Sequence, residues 1–115
     1  MSKVFNITDA DNFFIGEDKI VEIDVVQSDD VTPQTMTSWN LVYEIKATAR
    51  GLALISETPT IGNGDGTDDR ATANIGDTQT EALRPATYYH QLRRTDAGAE
   101  QVLAHGTVVL KESGL

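Results

Sequence analysis

The chain has 115 residues, of which 39% are hydrophobic and 23% charged, the size and composition of one folded domain. It has no cysteine, which excludes disulfides and thiolate metal sites and leaves the packed core to hold the fold alone. Eighteen acidic against nine basic residues give a net charge of −9, which repels phosphate backbones and anionic membrane surfaces, so neither nucleic acid nor membrane is an expected partner.

The N-terminal stretch MSKVFNITDADNFF lacks the continuous apolar segment of a secretory signal, and no apolar run is long enough for a bilayer span. A soluble protein made in the cytosol is expected. Residues 1–15 nevertheless carry Phe5, Ile7, Phe13, Phe14 and Ile15. Either this segment folds back as the first strand, or it is an arm that plugs into a neighbouring subunit. The second reading makes Phe5, Ile7, Phe13 and Phe14 candidate partner-binding residues.

From Lys19 to Val26, KIVEIDVV sets Val21, Ile23 and Val25 on one face and Glu22 and Asp24 on the other, the period of a half-buried strand. SDDVTPQTMTS then reads as a loop. Its Asp29–Asp30 pair, like Asp68–Asp69 further on, is expected to be solvated and ordinary in acidity. WNLVYEIKA, Trp39 to Ala47, is the clearest strand, with Trp39, Leu41, Tyr43 and Ile45 on one face. Trp39 is expected to be the central plug of the core.

GLALIS, from Gly51 to Ser56, predicts a short strand, and GNGDGTDD, from Gly62 to Asp69, a long turn rich in residues that tolerate positive φ. That turn gathers Asn63, Asp65, Asp68 and Asp69, oxygen donors of the kind Ca²⁺ takes. The distal glutamate and flanking helices of an EF-hand are missing, so a plain hairpin loop competes with the calcium reading. RATANI resumes the alternation. DTQTEALRP predicts one helical turn, with Asp77 or Thr78 as cap and Pro85 closing it. TYYHQLRR and QVLAHGTVVL are strands joined by TDAGAE, with Val102, Ala104, Gly106, Val108 and Leu110 on one side of the last.

Six or seven short strands separated by polar turns predict an all-β fold, an immunoglobulin-like antiparallel β-sandwich of about seven strands. A barrel is the alternative. The expected layout is an arm or first strand at 1–15, the sandwich at 16–112 and a tail at 113–115. Tyr88, after the turn-like EALRPAT, sits where sandwiches of this kind place a tyrosine corner, whose hydroxyl bonds back to the preceding connection.

The lead-in GEDKIVEIDV, the tryptophan strand WNLVYEIKA, the closing hairpin LRPATYYHQLRRTDAGAEQVLAHGTVVL and the exit Gly106 to Leu110 together resemble the small immunoglobulin-like domain of tailed-phage virion proteins. The likeness is to the N-terminal domain of baseplate upper proteins and related accessory domains, and it runs from about Ile15 to Leu110. In that family the closing element reads proline, glycine, any residue, tyrosine; here Pro85 and Tyr88 are kept and Ala86 stands in place of the glycine. The resemblance implies a virion structural protein: a capsid decoration or cement protein, or an accessory of tail or baseplate. Its implied partners are major capsid or tail subunits, with symmetric self-association, and it would be made in the host cytoplasm.

No cofactor and no enzymatic activity are expected. His90 and His105 are the only histidines and could face one another on the last hairpin, but a metal triad needs a third ligand. Arg84, Arg93 and Arg94 form the one local basic cluster, and alternation turns Arg93 and Arg94 to opposite faces. No Gly-x-Ser-x-Gly turn is present. A carbohydrate- or receptor-binding module, with or without calcium, is the alternative function; it calls for an exposed aromatic platform.

Overall fold

The structure is a computed structural model describing residues 2–7, 13–27, 29, 31–48 and 50–112. Eight strands and one short helix follow in order: β1 (Ser2–Ile7), β2 (Lys19–Val26), β3 (Leu41–Lys46), β4 (Ala53–Glu57), β5 (Thr60–Gly62), β6 (Arg70–Ile75), α1 (Asp77–Glu81), β7 (Ala86–Arg94) and β8 (Gln101–Leu110). They form two four-stranded antiparallel sheets, β1-β2-β6-β5 and β4-β3-β7-β8. Taken in chain order, this is the strand arrangement of an immunoglobulin-like sandwich with one additional strand, β4, at the edge of the second sheet.

Period-two patterning explains how the sheets close. Val21, Ile23 and Val25 of β2 and Ala71, Ala73 and Ile75 of β6 are all buried against Leu41, Tyr43 and Ile45 of β3 and Tyr88 and Leu92 of β7. Each large apolar side chain withdrawn from water in this way contributes about 1.5–3 kcal/mol. The opposite residues of β2, Glu22 and Asp24, stay outside and meet Arg70 of β6, whose guanidinium holds Asp24 through two bonds (2.7 and 3.1 Å) and Glu22 at 3.1 Å. Asp24, and after it Glu22, raises the Arg70 pKa.

The centre of the core departs from the sequence expectation. Trp39 is only partly buried and lies before β3, at the rim, with the Arg94 guanidinium 3.9 Å from its ring centroid. The cause is local: Ser38 takes a left-handed φ of 64°, and the Trp39 N–H turns back to the Met36 carbonyl at 3.1 Å. The interior volume is filled instead by Phe13, Met36 and Tyr43, each fully buried. Met36 enters from the loop after β2, which is stitched to its surroundings by Gln34 N–H to the Val25 carbonyl and Met36 N–H to the Asp68 carbonyl.

The N-terminal segment is a strand. β1 pairs with β2 along its length, with Phe5 opposite Ile23 and Ile7 opposite Val21. Further on, Phe14 bridges to Lys111 in parallel, with Lys111 N–H donating to Phe13 and Ile15 N–H to Lys111. Residues 8–12 of the expected arm and the expected tail at 113–115 lie outside the described residues.

Two smaller expectations are corrected. Val102 does not share a face with Ala104: a bulge at the β7–β8 pairing near Leu92 and Arg93 leaves Leu103 and Ala104 both buried and turns Val102 outward, 50% exposed. The helical turn has Gly76 rather than Asp77 or Thr78 at its cap, with Gly76 N–H donating to Gln79 Oε1 at 2.7 Å. Three-residue β5 had no expectation because Thr60–Gly62 is too short to show a period.

Candidate functional site

The outer face of the β4-β3-β7-β8 sheet is built in cross-strand rows. Lys46, Tyr89 and Thr107 form one row; Ser56, Glu44, Gln91 and His105 form the next; Val42, Arg93 and Val102 form a third. Glu44 anchors the middle row. It sits 6% exposed, and its Oε1 accepts from Arg93 Nε at 2.6 Å and Gln91 Nε2 at 2.9 Å. Burial pushes the Glu44 carboxyl up, but the Arg93 and Gln91 hydrogen bonds and the Arg93 and Lys46 charges outweigh it, so its pKa lies below the ordinary value. The same carboxylate raises the Arg93 pKa.

Above this row lies a shallow depression of about 430 Å³ lined by Lys46, Tyr89, His90, Gln91, Val102 and His105. Tyr89 is 44% exposed, and the outward turn of Val102 supplies an apolar wall. The face carries two cations, Lys46 and Arg93, against one carboxylate, Glu44, and so is net positive on a chain of charge −9. Sequence reading missed this constellation because its members come from three strands; only the register brings Lys46 beside Tyr89.

Behind the same sheet lies a buried polar pair. The Tyr43 hydroxyl and His90 Nδ1 are 2.8 Å apart, with rings edge to face at a centroid distance of 5.8 Å. Burial lowers the His90 pKa to about 4 and raises that of Tyr43, so both are neutral at pH 7. His90 therefore does not face His105. It stands opposite Gly106, while His105 is opposite Gln91 on the exposed side.

The acidic loop is used structurally. Asp69, 2% exposed, accepts from Gly64 N–H at 2.7 Å and Gly66 N–H at 3.2 Å; Asn63 Oδ1 accepts from Asp68 N–H at 2.9 Å, and Asp68 accepts from the Thr37 hydroxyl at 2.6 Å. Asp65 is exposed. Among the described residues no group of three or more His, Cys, Asp or Glu converges as a metal-ligand set. Two of the expectations for the paired carboxylates are corrected: Asp69 is buried rather than solvated, and Asp29, exposed as expected, is held below the ordinary carboxyl pKa by the Thr32 hydroxyl and the N–H groups of Val31 and Thr32. Asp30 lies outside the described residues.

Of the candidate partner-binding residues, Phe13 is removed from consideration as a plug, because it is wholly buried in this chain's own core. Phe14 is half-buried at its bridge to Lys111, and Phe5 and Ile7 belong to β1. Tyr88 donates its hydroxyl to the Arg84 carbonyl at 2.6 Å, the geometry of a tyrosine corner. The basic cluster is dispersed: Arg84 is exposed, Arg93 bonds Glu44, and Arg94 bonds Asp96 at 2.8 Å. Among the described residues the most exposed large apolar side chains are Leu52 at 90%, next to edge strand β4, and Val31 at 78%; Leu54, on β4 itself, is 48% exposed. No protein-family model matches the chain, and no curated protein does either.

Proposed function

We propose that this chain is a non-enzymatic attachment domain of a bacteriophage virion, a capsid decoration or tail accessory protein that works by protein–protein contact. The observation that carries the reading is the edge at β4. Leu52 stands 90% exposed beside the strand and Leu54 48% exposed on it, so an apolar side chain projects from a sheet edge whose backbone is open for pairing. An extended partner segment added along β4 would cover both leucines and extend the sheet. The ion pairs and buried polar groups described above support the reading from the other side, since they hold strands and loops together. The resemblance of the tryptophan strand and closing hairpin to phage accessory domains supplies the virion context.

The test is incorporation. Particles made with Leu52→Asp and Leu54→Lys together are expected to lack the protein while the purified variant keeps the wild-type unfolding midpoint. Normal incorporation of that variant would refute docking at β4. Native particles with no density for the protein would refute the virion role.

A further inference from the structure

We propose that the depression over Tyr89 binds a sugar ring bearing a carboxylate. This site is separate from the attachment reading: it lies on the sheet face, whereas Leu52 and Leu54 lie at the edge, so either can fail without the other.

Charge gives the first part of the assignment. Arg70 is paired with Asp24 and Glu22, Arg93 with Glu44 and Arg94 with Asp96. Lys46, which lines the depression, makes no salt bridge among the described residues. Its ammonium acts on the Glu44 carboxylate through charge alone, without a salt bridge, and Glu44 is hydrogen-bonded by Arg93 and Gln91, so Lys46 can take an anion from outside, on the net positive face of a chain of charge −9. A carboxylate delivered here gains a charge-assisted hydrogen bond that neutral ligands cannot make.

Shape and lining give the rest. A volume of about 430 Å³ is at the small end of ligand sites and suits one or two rings rather than a folded surface. Tyr89 lies directly across from Lys46 in the ladder and exposes 44% of its surface, so a ring whose carboxylate meets Lys46 has its apolar C–H face over the tyrosine. Gln91 and His105, opposite each other in the next row, offer hydrogen-bonding groups at the height of the ring's hydroxyls, and Val102 closes the apolar side. A purely apolar ligand would strip water from the His105 ring and the Gln91 amide oxygen, since Gln91 bonds Glu44 through its Nε2 alone, and the desolvation of polar groups disfavours that. A hydroxylated ring with one acidic substituent matches Lys46, Tyr89, Gln91, Val102 and His105 of the lining.

The experiment is a titration of the ¹⁵N-labelled chain with N-acetylneuraminic acid and glucuronic acid, the first a terminal glycan acid and the second a uronic acid of polysaccharides. The controls are the glucuronic acid methyl ester, acetate and a tetraglutamate peptide. Saturable shifts of the Lys46, Tyr89, Gln91 and His105 amides with either acid sugar are expected. The methyl ester, Lys46→Met and Tyr89→Ala should each weaken binding about tenfold, with unfolding midpoints unchanged in both variants. The proposal is overturned by an absence of saturable shifts, by the ester binding as well as the acid, or by acetate matching the sugars. Tighter binding of tetraglutamate would assign the site to an acidic peptide and overturn it equally.

Discussion

Acid should weaken this fold through one buried histidine. The folded-state pKa of His90 is lowered to about 4 from an ordinary 6.5 by burial in the core, where it is 3% exposed beside Tyr43. Below pH 6.5 the unfolded chain takes up a proton that the folded chain refuses, so stability is lost as pH falls from about 6.5 toward 4 and the loss levels off below that. At about 1.4 kcal/mol per pH unit, the gap amounts to about 3 kcal/mol, a large fraction of the roughly 5–15 kcal/mol that holds a domain of this size. The assay is urea unfolding at steps from pH 7.5 to 4, comparing the wild type with the double variant Tyr43→Phe, His90→Phe. Replacing both partners by apolar groups of similar shape removes the two ends of the Tyr43–His90 hydrogen bond together. The carboxylates titrate alike in both proteins, so the difference between the two profiles isolates His90. The wild type is expected to lose about 3 kcal/mol more than the double variant across the window. Parallel profiles, or a His90 ring signal titrating near its ordinary value in the folded protein, would refute the reasoning.

Tyr88→Phe removes the hydroxyl that bonds the Arg84 carbonyl and should cost about 0.5–1.5 kcal/mol in urea unfolding, leaving the sheet registers unchanged by amide chemical shifts. Met36→Ala empties a fully buried part of the core and should cost about 2–5 kcal/mol; a loss below about 1 kcal/mol would mean that Met36 is not wholly buried. Gly66→Ala places a methyl 2.7 Å from Pro33 Cβ, and a proline ring cannot swing aside, so about 1–3 kcal/mol is expected, read as a lowered unfolding midpoint.

Legibility followed period and spacing. β2, β3, β6 and the β7–β8 hairpin could be read because Val21, Ile23, Val25, Tyr43, Ala71, Ala73, Tyr88 and Leu92 alternate with polar neighbours, and each of them is buried. Trp39 misled because a tryptophan at the start of an alternating run looks like its first inward residue. A single left-handed Ser38 uncouples it from the strand, and nothing in a serine announces that φ. Met36 was hidden for the opposite reason: it shares a largely polar loop with Val31, nothing in the loop's sequence separates the two, and only the fold buries Met36 while leaving Val31 78% exposed. The depression over Tyr89 could not be read at all, since Lys46 and His105 are far apart in the chain and meet only through the pairing of β3, β7 and β8.

The position of His90 also bears on how a cysteine-free sandwich keeps its sheets in register. Antibody domains place a cysteine two residues after the corner tyrosine and pack the resulting inter-sheet disulfide against a tryptophan of the third strand. Here the residue two after Tyr88 is His90, and the third-strand residue against it is Tyr43. The covalent staple and its aromatic cover are replaced by a neutral hydrogen bond of 2.8 Å between two rings set at 83°. Such a pair joins β3 to β7 within one sheet rather than bridging two, so it fixes the pairing of these strands, while the apolar core packs the two sheets together. Reducing conditions have no bond to break in this core, whereas acid has one imidazole to charge. The domain exchanges a redox sensitivity for a proton sensitivity at the same place in the fold.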